Sequence, residues 1–107
     1  MNKIKLNLPS TASILFDNLY DVMPLASLGE DLCAVQLPGN RFIDIGWFPP
    51  QDAQGCYVIR VFKGDIDNLI EPPRETTRLE EVVHQVEELA TKYADDDATK
   101  TVARHTP

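Results

Sequence analysis

The side chains in this sequence best suited to nucleophilic or metal chemistry are Cys33, Cys56 and His84. A zinc site would have to bring all three together, because the chain has no Cys-x-x-Cys or His-x-x-x-His spacing. Cys56 and His84 could work as nucleophile and base only if the fold placed them side by side. Helical periodicity puts His84 opposite the apolar stripe of its helix. We therefore expect no such pair and assign no catalytic and no metal-binding residue.

Cofactor binding is not indicated either. The five glycines, at positions 29, 39, 46, 55 and 64, are scattered one per turn or strand and form no phosphate-binding loop. Glu80, Glu81, Glu87 and Glu88 lie along consecutive turns of one predicted helix, which sets their carboxylates in a row rather than around a cation. We interpret these glutamates as a solvated acidic face and predict no cofactor.

Asp44 and Arg60 are the one pair of titratable groups that the sequence forces together. They lie in two runs rich in β-branched and aromatic residues, Arg41–Phe48 and Cys56–Lys63. If residues 49–55 form a hairpin loop, a single register satisfies every position. It places Trp47–Tyr57, Ile45–Ile59 and Ile43–Val61 on one face, and Phe42–Phe62, Asp44–Arg60 and Phe48–Cys56 on the other.

A third strand, over residues 31–37, precedes this hairpin and pairs with Arg41–Phe48 across a Pro-Gly-Asn loop. In that register Cys33 faces Ile45. Cys33 then lies on the opposite face of the sheet from Cys56, so we predict that the two cysteines do not form a disulfide.

The rest of the chain predicts a strand and two helices. Residues 3–8 alternate between apolar and polar side chains, which favours a half-buried edge strand. A helical pattern begins near Ser10 and ends at Met23, where a proline follows. The segment 64–76 contains two adjacent prolines and predicts an extended connector. Residues 77–93 carry a continuous apolar stripe at helical spacing.

These elements predict an α+β fold of the order β-α-β-β-β-α. An antiparallel meander of three to four strands packs against two helices, both on the face that carries the isoleucines. We assign residues 1–94 to one domain. Residues 95–107 are polar and lack a periodic apolar face, which predicts a disordered tail.

The composition disfavours several classes of partner. The 107-residue chain has 17 acidic and 10 basic residues, a net charge of −7. Nucleic acids and anionic membranes attract clusters of lysine and arginine, so we expect neither as a partner. The sequence contains no run that resembles a secretory signal or a membrane span, and its two cysteines imply no disulfide framework. We therefore expect a cytoplasmic protein.

The second sheet face carries the main functional hypothesis. Large apolar side chains surround the charged pair there, while the helices are needed on the first face. We expect a non-enzymatic protein–protein interaction module, in one version an inhibitor or immunity-type protein for a basic partner. The expected partner-binding residues are Phe42, Asp44, Phe48, Val58, Arg60 and Phe62.

Four alternatives stay open at the level of sequence. A helix could cross and cover the second face, or the acidic face of the last helix could be the binding surface. A homodimer with a structural or regulatory role could bury the second face or pair two edge strands. An enzyme or small-ligand site could use Asp44, Arg60, Trp47 and Tyr57.

Overall fold

The computed structural model of this chain describes residues 2–95. Five strands pair in chain order into one antiparallel sheet, β1 (Ser13–Asp17), β2 (Cys33–Leu37), β3 (Arg41–Phe48), β4 (Cys56–Lys63) and β5 (Arg74–Thr76), and are followed by the helix α1 (Leu79–Lys92). The fold is therefore α+β, as predicted. It has five strands and one α-helix within residues 2–95, instead of three to four strands and two helices. The disordered tail predicted for residues 95–107 lies, except for Asp95, outside the described residues.

The three central strands pair in the predicted register. Cys33 of β2 faces Ile45 of β3, and β3 pairs with β4 along its whole length, with Asp44 opposite Arg60. Side chains alternate between the two faces of a strand, so a slip by one residue would move every apolar side chain to the opposite face. Matching apolar positions on three neighbouring strands therefore select one register.

The first sheet face and α1 form the core. Trp47 and Tyr57 pack edge to face with ring centroids 4.9 Å apart, and Trp47 Nε1 donates a 2.8 Å hydrogen bond to the Asp52 carbonyl. Burying one aliphatic side chain contributes about 1.5–3 kcal/mol, so a buried stripe is enough to hold a helix on a sheet. Four residues of the predicted stripe are buried, namely Val82, Val86, Leu89 and Ala90. The other three are half-buried, namely Leu79, Val83 and Tyr93.

The helix predicted for residues 10–23 is wrong, because this segment contributes β1. The pairing of β1 with β2 shifts between Ile14 and Phe16, which makes Leu15 the extra residue of a β-bulge. A bulge interrupts the period-two alternation of side chains, and the remaining spacing of apolar residues resembles that of a helix. Only Leu19 is fully buried among the apolar residues whose spacing predicted the helix, namely Ala12, Leu15, Phe16, Leu19, Val22 and Met23.

The N-terminal segment packs against the core. Ile4, Leu6 and Leu8 are half-buried against the core, as their alternation predicts. The predicted strand is nevertheless wrong. Residues 3–8 form no strand of the sheet, and Lys3 makes an isolated bridge with Tyr20, which lies beyond the end of β1.

The connector between β4 and α1 is more regular than the sequence predicts, since its end, Arg74–Thr76, forms β5. The Glu71 carboxylate accepts hydrogen bonds from Arg74 Nη2 at 3.0 Å, Lys92 Nζ at 2.9 Å and the Tyr93 hydroxyl at 2.6 Å. Burial acts to raise the pKa of Glu71, but the donors on Tyr93, Lys92 and Arg74 outweigh it and lower the pKa below its ordinary value. Glu71 thus ties the connector to the end of α1.

Cys33 and Cys56 are both free thiols, as their predicted positions on opposite faces require. Cys33 is fully buried, and burial together with the nearby charges of Asp17 and Asp44 raises its pKa to about 12. Cys56 is half-buried. Desolvation and a 3.5 Å contact with Glu75 raise its pKa as well.

We expect a disulfide-exchange reagent to modify one thiol in the native chain, that of Cys56, because reaction requires an accessible thiolate. The reaction should be slower than that of a free cysteine, since the Cys56 pKa is raised. The absorbance of the thiolate that the reagent releases at neutral pH measures the number of modified cysteines. The Cys56→Ser variant should not react in its native state. Rapid modification of two thiols in the folded protein would contradict the burial of Cys33.

Candidate functional site

The second face of the sheet carries all six predicted partner-binding residues. They occupy positions on β3 and β4 that point away from α1. Phe42, Phe48 and Phe62 are half-buried, and Val58 is nearly enclosed at 7% exposure. No second α-helix lies within residues 2–95, so this face is not covered by one.

Two residues that sequence reasoning missed extend this face. Phe16 pairs with Ala34, which in turn pairs with Asp44, and Leu69 forms an isolated bridge with Phe62. Phe16 and Leu69 each expose 39% of their surface. The β-favouring run Ser-Ile-Leu-Phe was the available signal for Phe16, whereas nothing local marked Leu69. We call this surface the open sheet face; it consists of Phe16, Phe42, Asp44, Phe48, Val58, Arg60, Phe62 and Leu69.

Three of the four aromatic residues of the open sheet face are held in two contacts. Phe42 and Phe62 stack across β3 and β4 with ring centroids 5.4 Å apart and an interplanar angle of 21°. The Arg60 guanidinium lies over the Phe48 ring, 4.5 Å from its centroid, in a cation–π contact. Side chains that are already fixed lose little conformational entropy when another surface packs on them. These contacts therefore suit the face to docking.

Asp44 and Arg60 form the predicted ion pair, with 3.9 Å between Asp44 Oδ2 and Arg60 Nη1. The Asp44 side chain is 15% exposed. Its burial raises the pKa of the carboxyl; Arg60 lowers it and the like charge of Asp31 raises it, so that the balance lies above the ordinary value. Because the pKa is raised on folding, Asp44 favours the folded state most at low pH, and this contribution is lost as the pH rises through the folded-state pKa.

Two substitutions should move the pKa of Asp44 in opposite directions. Arg60→Gln removes the cation that favours the carboxylate, so the pKa should rise further. Asp31→Asn removes a neighbouring negative charge, so the pKa should fall. Titration of the Asp44 carboxyl carbon signal by NMR measures both, and two shifts of the same sign would contradict this electrostatic arrangement.

The four residues considered for an enzyme or small-ligand site do not meet in one place. Asp44 and Arg60 lie on the open sheet face, whereas Trp47 and Tyr57 are 7% and 4% exposed in the core on the other side of the sheet. Burial raises the pKa of Tyr57. The backbone of the sheet separates the charged pair from the aromatic pair.

The thiol and histidine groups are also apart. Cys56 contacts Glu75, whereas His84 is exposed and lies 3.7 Å from Glu88. Among the described residues, no group of three or more histidine, cysteine or acidic side chains is arranged to hold a metal ion. The zinc and nucleophile arrangements considered from the sequence are thus not assembled in this part of the chain.

The acidic face of α1 is largely occupied by contacts of its own. Glu80 pairs with Arg78 at 2.7 Å and Glu88 with Arg74 at 2.9 Å. Glu87 accepts a 2.7 Å hydrogen bond from the backbone amide of Asn7. Carboxylates that are already paired present less unbalanced charge to a partner, which makes this face the weaker candidate for a binding surface.

The two edge strands of the sheet, β1 and β5, differ in how well they are protected from pairing with a strand of another molecule. β5 is three residues long, carries two charged side chains and follows two prolines, all of which discourage pairing with another strand. β1 exposes 47% of Ile14, 52% of Leu15 and 39% of Phe16, and contains neither lysine nor proline. The bulge at Leu15 and the charge of Asp17 at its end are the protections that β1 carries.

Within residues 2–95, no helix combines the length and the apolar character needed to cross a bilayer. No protein-family model, curated protein or solved structure matches this chain. Its function is therefore inferred from its own residues and their arrangement.

Proposed function

We propose that this chain is a small, non-enzymatic interaction module that binds a basic protein through the open sheet face. The observation that carries the proposal is the cluster of large aromatic side chains on the face opposite α1, fixed around one ion pair. A cluster of large apolar side chains at the surface is typical of interaction sites. Aromatic and arginine side chains supply most of the binding energy at such sites.

A basic partner is supported by the distribution of charge. The chain has a net charge of −7, and residues 6–40 contain Asp17, Asp21, Glu30 and Asp31 but no lysine, arginine or histidine. A surface of one sign accelerates encounter with a partner of the other. One version of this proposal is an inhibitor or immunity-type protein that neutralises a basic partner. Two free cysteines suit a reducing compartment, and we propose a cytoplasmic location.

The test is affinity capture at low salt with three immobilised proteins: wild type, Phe62→Asp and Ile14→Asp. Ile14 is the matched control, because it is an exposed apolar residue that pairs with Val35 on the other side of the sheet. A basic protein should bind wild type and Ile14→Asp but not Phe62→Asp. Thermal unfolding establishes that each variant is folded. Equal capture by all three would overturn the proposal.

The exposed edge of β1 favours a second candidate, a homodimer with a structural or regulatory role. Two copies of β1 could pair antiparallel about a two-fold axis centred on Leu15, which places Asp17 opposite Ser13 and brings no like charges together. Sedimentation velocity over a wide range of concentrations tests it. A dimer that Leu15→Lys converts to a folded monomer would support this candidate, and a monomer at every concentration would exclude it.

A further inference from the structure

A cavity of about 350 Å³ opens where the chain passes from β1 to β2. Tyr20, Val22 and Pro24 give it an apolar wall, and Asn18, Ser27 and Asp31 contribute polar groups. Val22 is 57% exposed even though its side chain is apolar. The cavity therefore combines an apolar lining, accessible from solvent, with a carboxylate.

The walls of this cavity are braced rather than loose. The 3₁₀ turn Leu25–Ser27 is closed by hydrogen bonds from the Ser27 amide and hydroxyl to the Pro24 carbonyl, at 2.9 and 2.7 Å. Gln51, from the loop between β3 and β4, donates from its amide to the Leu28 carbonyl at 2.7 Å and from its side chain to the Ala26 carbonyl at 2.8 Å. A braced cavity can bind a group without first ordering its own loop.

The charge around the cavity is unbalanced. Asp31 makes no hydrogen bond and no ion pair within residues 2–95, and Glu30 beside it is also exposed. Lys3 approaches the aromatic wall of the cavity, with its Nζ 5.9 Å from the centroid of the Tyr20 ring. Tyr20 is thus already positioned to contact a positive charge, while Asp31 has none.

The cavity adjoins the open sheet face. Asp31 belongs to its lining, and a Cβ placed on Gly46 would lie 2.1 Å from the carbonyl oxygen of the neighbouring Glu30 and 2.8 Å from Cε2 of Phe48. Asp31 lies close enough to Asp44 for its charge to raise the pKa of that carboxyl, and Asp44 belongs to the open sheet face. A single protein that covers the face would therefore also reach the cavity.

We infer that the cavity receives an arginine side chain of the basic protein that the open sheet face binds. This inference rests on the proposed function. The aliphatic stem packs against Val22 and Pro24, and the guanidinium stacks on Tyr20 and pairs with Asp31. Arginine suits the site better than lysine, because its planar group is less strongly hydrated, stacks on aromatic rings and bonds a carboxylate through two donors.

The test is an NMR titration of the isotopically labelled full chain with the peptide acetyl-Gly-Arg-Gly-amide. Two comparison peptides carry citrulline, which has the shape of arginine without its charge, and lysine. We expect the arginine peptide to cause saturable shifts of the amide signals of Tyr20, Gly29 and Asp31, and the two comparison peptides to cause none. Binding of the citrulline or lysine peptide with equal affinity would overturn the assignment, as would shifts located elsewhere.

Variants make the test specific to this cavity. Asp31→Asn should weaken the arginine peptide about tenfold, the usual effect of losing one charge-assisted pair. Asp65→Asn makes the same change of net charge in the turn after β4, where the side chain accepts a hydrogen bond from the Asp67 amide, and should leave affinity unchanged. Lys3→Gln removes the competing cation and should strengthen binding. Equal weakening by Asp31→Asn and Asp65→Asn would show that net charge alone attracts the peptide, and would overturn the inference.

Failure of this inference is distinguishable from failure of the proposed function. Phe62→Asp should leave binding of the arginine peptide unchanged while it abolishes capture of the basic protein. Capture that depends on Phe62 without any binding of the arginine peptide would overturn the cavity assignment alone. Peptide binding at the cavity without capture through the open sheet face would overturn the proposed function alone.

Discussion

Gly46→Ala should destabilise the fold by about 3 kcal/mol, at the upper end of the usual cost of overpacking. A Cβ on Gly46 would lie 2.1 Å from the Glu30 carbonyl oxygen and 2.8 Å from Cε2 of Phe48. The first contact is with backbone, which a change of side-chain rotamer cannot relieve. Hydrogen bonds on both sides hold that backbone in place, from the Trp47 amide to the Gly29 carbonyl at 2.8 Å and from the Leu32 amide to the Ile45 carbonyl at 2.9 Å.

Gly29→Ala is the matched control, because a Cβ at Gly29 meets no atom within 4 Å. An alanine that fits also restricts the unfolded chain, so this variant should be neutral or more stable by up to about 1 kcal/mol. Urea unfolding of both variants gives the comparison. Equal midpoints would show that residues 29–32 do not pack over β3 as described.

Arg41→Met should cost about 3 kcal/mol, because it removes a buried guanidinium that donates to three backbone carbonyls at once. Arg41 is 2% exposed. Its Nε donates to the Pro38 carbonyl at 2.8 Å, and its Nη2 donates to the carbonyls of Tyr93, at 3.3 Å, and of Asp95. The guanidinium also lies over the Tyr93 ring, 5.1 Å from the centroid. One side chain thus joins the β2–β3 turn to the end of α1.

Arg41→Lys should recover about half of this loss, since an ammonium group keeps the charge but cannot reach the same carbonyls with a planar fork. Arg78→Met is the control for net charge. Its side chain is 66% exposed and pairs with Glu80 at the surface, so the unfolding midpoint should not change. If Arg41→Met were as harmless as Arg78→Met, the contact between the turn and α1 would not contribute to stability.

The central hairpin could be predicted because its pattern is both local and shared between strands. Alternation within β3 sets its two faces, and the matching alternation in β4 leaves one register in which Asp44 meets Arg60 rather than an apolar side chain. The α1 helix was equally predictable, because its apolar stripe is long and uninterrupted.

β1 could not be predicted in the same way because of a single residue. The bulge at Leu15 breaks the alternation, and the exposure of Ile14 and Phe16 removes the contrast between a buried and a solvent face. Hydrogen bonds to β2, a segment some twenty residues later, outweigh the local helical spacing of this short run. Phe16 was therefore missed as a member of the open sheet face.

The cavity was beyond sequence reasoning for a different reason. Its shape depends on the path of residues 18–32, which is set by contacts with Gln51 and with the backbone of β3 around Gly46. No periodicity encodes such contacts. The absence of basic residues from 6–40 was visible in the sequence, but its meaning depends on where Asp31 lies relative to Tyr20 and Val22.

The dissociation constant of the captured basic protein, measured by calorimetry for wild type, Phe62→Asp and Ile14→Asp, tests the central claim most directly. Loss of a central aromatic contact typically costs about 2 kcal/mol or more. We therefore predict that Phe62→Asp weakens binding about thirtyfold or more. Ile14→Asp should stay within about threefold of wild type, since surface changes outside an interface contribute little. The opposite result would contradict the claim: unchanged affinity in Phe62→Asp and lost binding in Ile14→Asp. It would show that the partner binds at the edge of β1 instead.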